Sequence, residues 1–258
     1  MTSPVALPAS LRRLPVAHRA LHDRAAGRVE NSPAAIAAAI TSGYAIEIDL
    51  QLSSDGQAVV FHDETLDRLT EETGRVSQRS AGDLGQIRLK DSADTIPTLG
   101  QVLAQVAGRV PLLIEIKDQT DLMANTDGRL EAATAQALES YRGDVAVMSF
   151  NPHSIAHMAR LAPDLPRGLT TSSYDPADWH PLPPETCARL RDIPDYGAVG
   201  ASFISHQGDD LTRPRVAELK AQGAAILCWT IRTPEQEAAV RQIADNVTFE
   251  GYLSPIPA

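Results

Sequence analysis

The sequence predicts a (β/α)8 TIM barrel with a small insertion after the second strand. Short apolar runs that suit buried strands alternate with helical patterns along the chain. Eight strand candidates can be counted from Val16, and no glycine-rich dinucleotide-binding loop follows any of them. A doubly wound open sheet is the alternative architecture. We expect a single domain over residues 1–258.

The predicted elements follow one another in strict alternation. The strand candidates are 16–17, 45–50, 111–116, 145–150, 167–170, 201–204, 225–229 and 252–253. The helix candidates are 32–41, 98–107, 129–141, 152–161, 185–191, 212–222 and 234–244. Two of the helices carry a start signal, Asn151-Pro152 and Thr233-Pro234, because proline suits the first helical position.

One further apolar run, 58–61, comes after the turn signal Ser54-Asp55-Gly56. It therefore predicts a hairpin that returns along the second strand. Residues from 63 to about 95 are polar and contain three glycines, Gly74, Gly82 and Gly85. They predict a small insertion over one end of the barrel.

Charge and cysteine content restrict the partners and the compartment. The formal net charge of -10 and the pI near 5.1 disfavour nucleic acids and anionic membrane surfaces, while a small anion held through a metal ion remains allowed. Cys187 and Cys228 fit no metal or redox spacing, so we expect two buried thiols in a reducing compartment. The sequence shows no signal peptide and no membrane-spanning run, and we expect a cytoplasmic protein without stable membrane association. The oligomeric state stays open.

Charged residues interrupt the ends of otherwise apolar strands. Glu47 and Asp49 share one face of a strand, as do Glu115 and Lys117, because side chains alternate along a strand. In a barrel these faces point inward at the C-terminal rim, where barrel enzymes keep their sites. His18 ends the first strand and His62 ends the hairpin, so both reach the same rim.

Three converging carboxylates repel one another unless a cation lies between them. Oxygen ligands select hard divalent ions such as Mg²⁺, Ca²⁺ or Mn²⁺ over zinc. The alternative is that these groups form ordinary ion pairs. His18 and His62 can exchange acid and base roles across a phosphodiester. The remaining histidines are interpreted as ordinary core or surface residues: His22, His153, His157, His180 and His206.

Seven short motifs follow one another along the first half of the chain. They are His18-Arg19, Glu30-Asn31-Ser32, Glu47-x-Asp49, Asp55-Gly56, Val60-Phe61-His62-Asp63, Ile96-Pro97-Thr98-Leu99 and Glu115-Ile116-Lys117. In order and spacing, from about residue 16 to 117, this series resembles the glycerophosphodiester phosphodiesterase family, and Trp229-Thr230 resembles a later motif of that family.

The resemblance implies a barrel, a divalent cation (Mg²⁺ or Ca²⁺), and hydrolysis of glycerophosphodiesters to glycerol 3-phosphate and an alcohol. Carried over by position, Glu47, Asp49 and Glu115 match metal ligands, His18 and His62 the acid/base pair, and Arg19 and Lys117 the phosphate-binding cations. The same site acting on another phosphodiester, such as a lysophospholipid, and a barrel that binds glycerophosphodiesters without turnover are the alternatives.

Three other residues stay open between two roles. Glu30 either touches the substrate or, with Asn31, caps the helix that begins near Ser32. Phe150 and Trp229 are either core residues or an apolar wall for the glycerol or the leaving alcohol.

The chain departs from the family pattern at three places. Ala20 stands where glycine is usual, Val29 where proline is usual, and Leu253-Ser254-Pro255 where the family has an Asp-x-Pro element. The last change is expected to remove a carboxylate near the rim of the eighth strand.

Overall fold

The computed structural model describes residues 4–257 and contains a closed barrel of eight parallel strands. The barrel closes because β1 pairs with both β2 and β9. A ninth strand, β3, runs antiparallel to β2 outside the barrel, as the hairpin signal predicts. The (β/α)8 prediction is confirmed, and the open doubly wound sheet is wrong. The strands are β1 Val16–Ala17, β2 Ala45–Leu52, β3 Ala58–Val60, β4 Leu112–Ile116, β5 Val145–Ser149, β6 Arg167–Thr171, β7 Phe203–Gln207, β8 Ala225–Ile231 and β9 Asn246–Phe249.

Helices follow most barrel strands and cover their outer faces. Several begin at a polar side chain that accepts a hydrogen bond from the first helical turn, as Ser32 does from Ala35 and Thr98 from Gln101. The helices are α1 Ala9–Arg13, α2 Pro33–Ser42, α3 Ala81–Leu84, α4 Leu99–Val106, α5 Arg129–Leu138, α6 Pro152–Leu161, α7 Pro184–Arg191, α8 Pro214–Ala221 and α9 Pro234–Val240.

The last barrel strand lies earlier than the sequence pattern indicates. It covers Asn246–Phe249, so the prediction of a strand at 252–253 is wrong. The strand is hard to recognise in the sequence because it contains polar residues. The Asn246 side-chain amide donates to the carbonyl oxygens of Leu11 and Leu14, at 2.8 and 2.7 Å. A polar side chain with such partners is stable in a core, but it breaks the apolar run by which a buried strand is recognised.

The N-terminal end of the barrel is filled with apolar side chains. Leu7 and Leu11, from the segment that includes α1, pack with Val16 and with inward residues of the later strands. Gly168 on β6 makes room for the Phe203 ring, because a Cβ there would lie 2.5 Å from ring carbons. The sealed end leaves the opposite rim as the place for a site.

The segment between β3 and α4 forms its own small apolar cluster. Val59, Phe61, Leu66, Leu84 and Ile96 are all buried in it. Val29, one of the departures from the family pattern, is buried there as well. This packing fixes the segment that carries His62 beside the barrel rim.

The chain after β9 packs outside the barrel as an irregular segment. Its side chains bond to the buried Glu237 of α9: the Tyr252 and Ser254 hydroxyl groups donate to that carboxylate, each at 2.8 Å. The Tyr44 hydroxyl donates to the Ser254 carbonyl at 2.7 Å. The segment Leu253-Ser254-Pro255 therefore packs against the outside of the barrel and does not contribute a side chain to the rim.

Two further expectations concern the whole chain. Cys187 and Cys228 are both buried and unpaired. Within residues 4–257, no helix combines the length and the apolar sequence needed to cross a bilayer.

Candidate active site

Three buried carboxylates meet at the C-terminal rim of the barrel. Glu47 and Asp49 point inward from β2, and Glu115 points inward from β4, where it stands in register with Asp49. Each residue is at most 7% exposed, and their carboxylate oxygens include a set that lies within 4.8 Å of one another. The strand alternation in the sequence thus places these three residues correctly.

The three carboxylates are compensated unequally. Burial alone would raise the pKa of Asp49, but the charges of Lys117 and Arg19 lower it, as a protonated His62 would also do. Burial and then the charges of Asp49 and Glu115 raise the pKa of Glu47 well above its usual range. Within residues 4–257, no basic side chain forms an ion pair with Glu47, whose close partner is the backbone N–H of Arg19 at 2.7 Å. An oxygen-only cluster short of positive charge fits a hard divalent cation.

Two cationic side chains border this cluster. The Lys117 ammonium group donates to Glu115 at 2.8 Å and lies 3.5 Å from an Asp49 oxygen. The Arg19 Nε lies 3.7 Å from the other Asp49 oxygen. Asn31 completes the support of Asp49, because its side-chain amide donates to the carboxylate at 2.9 Å. The two cations therefore lie where an anion bound at the cluster would meet them.

His18 directly follows β1 and is held by a carboxylate that the sequence interpretation missed. Its Nδ1 lies 2.6 Å from Glu250, the residue that follows β9. The other oxygen of Glu250 accepts from Arg232 at 2.7 Å. Hydrogen bonds from His18 and His22 lower the pKa of Glu250, so it is ionised and acts only as an acceptor. The His18 proton is thus on Nδ1, which leaves Nε2 for proton transfer.

The position of Glu250 corrects the expectation for this end of the chain. The sequence prediction placed the eighth strand at 252–253 and so expected no carboxylate at its rim. With the strand at Asn246–Phe249, Glu250 is the rim residue and supplies that carboxylate. A sequence prediction that ended the last strand at Phe249 would have identified Glu250 as the rim residue.

His62 is held in the same way by its chain neighbour. Its Nδ1 lies 2.7 Å from the Asp63 carboxylate, and its Nε2 lies 3.2 Å from the Lys117 ammonium group. Burial opposes ionisation of Asp63, but hydrogen bonds from His62 and Arg68 lower its pKa. Asp63 is therefore an acceptor for the Nδ1 proton, and Lys117 donates to the unprotonated Nε2.

Glu30 lies in a chain of ion pairs that connects both halves of the rim. It accepts from Arg19 at 2.8 Å and binds Arg68 through both oxygens, at 2.7 and 2.8 Å. Arg68 also binds Asp63 at 2.6 Å. The capping alternative for Glu30 is wrong, because Ser32 caps α2. Nothing in the sequence pattern marks Arg68 as part of this chain.

Phe150 and Trp229 belong to a group of four aromatic rings at the rim. Phe150 lies 5.4 Å from Trp229 and 5.0 Å from Trp179 between ring centroids, and Trp179 lies 4.7 Å from Tyr174. Phe150, Trp179 and Trp229 are each partly exposed. Each of these three rings therefore keeps part of its surface open at the rim, and the apolar wall stays a prediction.

The remaining histidines have ordinary surroundings, with one exception. His206 is fully buried on β7 beside Thr171 and Asp210, and His153 and His157 lie on α6. His180 is exposed in the loop before α7. His22 is the exception, since its Nε2 lies 3.5 Å from Glu250.

The protein resembles proteins of one family in sequence. The profile of the Glycerophosphoryl diester phosphodiesterase family matches residues 18–248. A glycerophosphodiester phosphodiesterase of Caldanaerobacter subterraneus is 32% identical over 161 residues, which cover 58% of this chain and 65% of that protein. One from Bacillus subtilis is 27% identical over 221 residues, or 78% of this chain and 70% of that protein.

Solved structures share the fold. A phosphodiesterase of Oleispira antarctica, in complex with its product sn-glycerol-3-phosphate, superposes with a TM-score of 0.74 at 23% identity, over 92% of this chain and 93% of that one. A glycerophosphodiester phosphodiesterase of Agrobacterium tumefaciens gives 0.68 at 22% identity, over 91% and 95%. The match over nearly the whole chain and the barrel agree with the resemblance read from the motifs. The chain belongs to the glycerophosphoryl diester phosphodiesterase family.

Proposed function

We propose that the protein hydrolyses glycerophosphodiesters to glycerol 3-phosphate and an alcohol, in a single barrel domain. One observation supports this most strongly: the carboxylate cluster and two histidines, each held by its own carboxylate, share one rim. Binding alone has no need of two histidines whose Nε2 atoms are both kept for proton exchange.

Glu47, Asp49 and Glu115 would hold a divalent cation, either Mg²⁺ or Ca²⁺. The raised pKa of Glu47 supports this assignment, because the cluster lacks positive charge where Glu47 lies. When bound, the cation supplies charge that offsets the charge of a phosphate oxygen. The Arg19 guanidinium group, with its planar fork of donors, and the Lys117 ammonium group, a point charge, would stabilise the other phosphate oxygens.

The two histidines divide the proton transfers between them. Burial lowers the pKa of His18, so it is neutral near pH 7 and accepts a proton at Nε2. We assign it the role of base. When a phosphate oxygen takes the hydrogen bond of Lys117, His62 Nε2 is free to take up a proton from solvent, and it would then give that proton to the leaving alkoxide.

The test is a product assay. The purified protein is incubated with glycerophosphocholine and with glycerophosphoglycerol, and glycerol 3-phosphate is measured with Mg²⁺, with Ca²⁺ and with a chelator. We expect product only with a divalent cation. Turnover in the chelated sample would refute the metal assignment, and absence of product under every condition would refute the hydrolysis.

The same assay separates the alternatives. Turnover of a lysophospholipid but of neither soluble diester would point to the lipid substrate. Calorimetric binding of glycerophosphocholine without product would point to a binding protein. The cytoplasmic location stays a prediction from the sequence.

A further inference from the structure

A cavity of about 540 Å³ opens from the candidate active site on the His62 side. Its inner end is lined by His62, Glu115 and Lys117. Its far side is formed by the loops after β4, β5 and β6, which bring Phe150 and Trp179 to its surface. The cavity is therefore continuous with the groups that would meet the phosphate, and it has room for one half of a phosphodiester.

Aromatic and apolar side chains form one wall of this cavity. Met123, Phe150, Trp179 and Leu182 line it. The Phe150 and Trp179 rings are tilted by 59° to each other, and Trp229 stands edge-on against Phe150 at 86°. The chain has only two tryptophans, so both lie in or beside this wall. Partly exposed aromatic rings in such an arrangement attract a quaternary ammonium group through the negative faces of the rings.

Carboxylates line the outer part of the same cavity. They are Glu64, Asp118, Asp121 and Asp178. Arg75 pairs with Glu64 and Asp121, at 3.4 and 3.3 Å, so one cation serves two of them. Burial and then the charge of Asp121 raise the pKa of Glu64, which is consistent with a negative potential there. A negative potential attracts a cationic group and repels an anionic one.

Asp178 is the carboxylate nearest in sequence to the wall, next to Trp179. It is exposed, and among residues 4–257 its side chain takes part in no hydrogen bond or ion pair. Asp118 differs, because it accepts hydrogen bonds from Thr120, Met123 and Asn151 and so organises the loop after β4. Asp178 is thus the residue whose charge is free to act on a ligand.

We propose that this cavity is the subsite for the leaving alcohol and that it selects alcohols carrying a positively charged nitrogen, above all a quaternary ammonium group. The inference rests on the proposed function. Glycerol 3-phosphate carries no cation, so a cavity that attracts one fits only the other half of the diester. Trp179 supplies the ring face and Asp178 supplies the unpaired charge.

The first experiment compares two diesters that share the glycerol 3-phosphate half. Glycerophosphocholine has a cationic alcohol and glycerophosphoglycerol an uncharged one. We expect kcat/KM to favour glycerophosphocholine by about 10-fold or more. Trp179→Ala should lower kcat/KM about 5- to 30-fold for glycerophosphocholine and less than about 3-fold for glycerophosphoglycerol, whereas Trp179→Phe should keep most of the preference.

The charge of Asp178 is tested with a matched variant. Asp178→Asn should reduce the preference about 2- to 5-fold at low salt and weaken its dependence on salt concentration. Asp175→Asn removes one charge from the same loop outside the cavity, and it should leave the preference unchanged. Equal losses with both substrates in Trp179→Ala, or no preference in the wild type, would overturn the proposal.

A second measurement does not depend on turnover. Tryptophan fluorescence is followed while choline chloride is added, and separately while neohexyl alcohol, the uncharged carbon isostere of choline, is added. We expect choline to quench at concentrations about 10-fold lower than the isostere. Selective quenching without hydrolysis of either diester would keep the subsite and refute the proposed function. Hydrolysis without preference and without selective quenching would do the opposite.

Discussion

Replacing Glu250 by glutamine tests whether this residue sets the protonation of His18. In the native site one Glu250 oxygen accepts from His18 and the other from Arg232. Glutamine has only one side-chain oxygen, and the Arg232 guanidinium group can only donate. The oxygen must therefore turn to Arg232, so the amide NH₂ faces His18 and donates to Nδ1.

That hydrogen bond moves the His18 proton to Nε2, where it blocks the acceptance of a proton. Loss of a hydrogen bond to an ionised group costs about 1.5–3 kcal/mol, which corresponds to about 10- to 150-fold in rate. A wrong tautomer costs more, about 10⁴-fold where a carboxylate orients a catalytic histidine. We expect kcat of Glu250→Gln to fall about 10²- to 10⁴-fold while the metal concentration for half-activation stays constant.

A second substitution makes the argument about hydrogen-bond direction testable. Removing Arg232 in the double variant Glu250→Gln/Arg232→Ala frees the amide to flip, so its oxygen can again accept from His18. We expect the double variant to be about 10-fold more active than Glu250→Gln, and Arg232→Ala alone to lie within about 3-fold of the wild type. If the single glutamine variant keeps more than half of the native kcat, or if the double variant gains nothing over it, the reasoning is wrong.

Three further outcomes follow from the site and the fold. Glu47→Gln and Glu115→Gln should each weaken metal activation, and excess metal should restore part of the rate; a low rate at every metal concentration would contradict a ligand role. Because burial lowers the pKa of His18, the rate should rise with pH through an acidic limb below pH 6.5, and His18→Ala should remove that limb; an unchanged limb in the pH profile would assign it to another group. Ser254→Ala leaves the buried Glu237 short of one hydrogen bond, so urea unfolding should show a loss of about 1–2 kcal/mol with kcat/KM unchanged, and a loss of activity instead would place this end of the chain in the site.

Strand alternation explains how far the sequence alone could reach. Glu47, Asp49 and Glu115 could be placed because they lie on strands whose other residues are apolar, and the period of two fixes their direction. The barrel itself follows from the repeated alternation of strand and helix. Such evidence is local, so a single chain segment is enough to reveal it.

The partner of His18 and the ion pairs around Glu30 could not be predicted in this way. Glu250 lies 232 residues from His18, and Arg68 lies 38 residues from Glu30. Contacts of this kind depend on where loops end after the barrel closes, and no periodic pattern records that. The last strand was misplaced for the same reason. Asn246 is a polar residue within that strand, and its hydrogen-bond partners are the carbonyl oxygens of Leu11 in α1 and of Leu14 directly after it, which are distant in sequence. Hydrophobic patterns fail at buried polar residues whose hydrogen-bond partners come from distant parts of the chain.

Each of the two histidines is held at Nδ1 by a carboxylate, but the two carboxylates differ in the further ion pairs that they form. The carboxylate that holds His18 ends at Arg232, which is more than half exposed and touches no other group of the rim described above. The carboxylate that holds His62 continues through Arg68 and Glu30 to Arg19. If Arg19 binds the phosphate as proposed, its movement toward the phosphate would act on the same chain of ion pairs that orients His62. His18 lacks such a connection, and it is the histidine whose pKa burial lowers, so it can accept a proton whether or not the phosphate is bound. In the proposed mechanism, substrate binding would therefore act on the acid, His62, whereas the base, His18, would be neutral before the substrate binds.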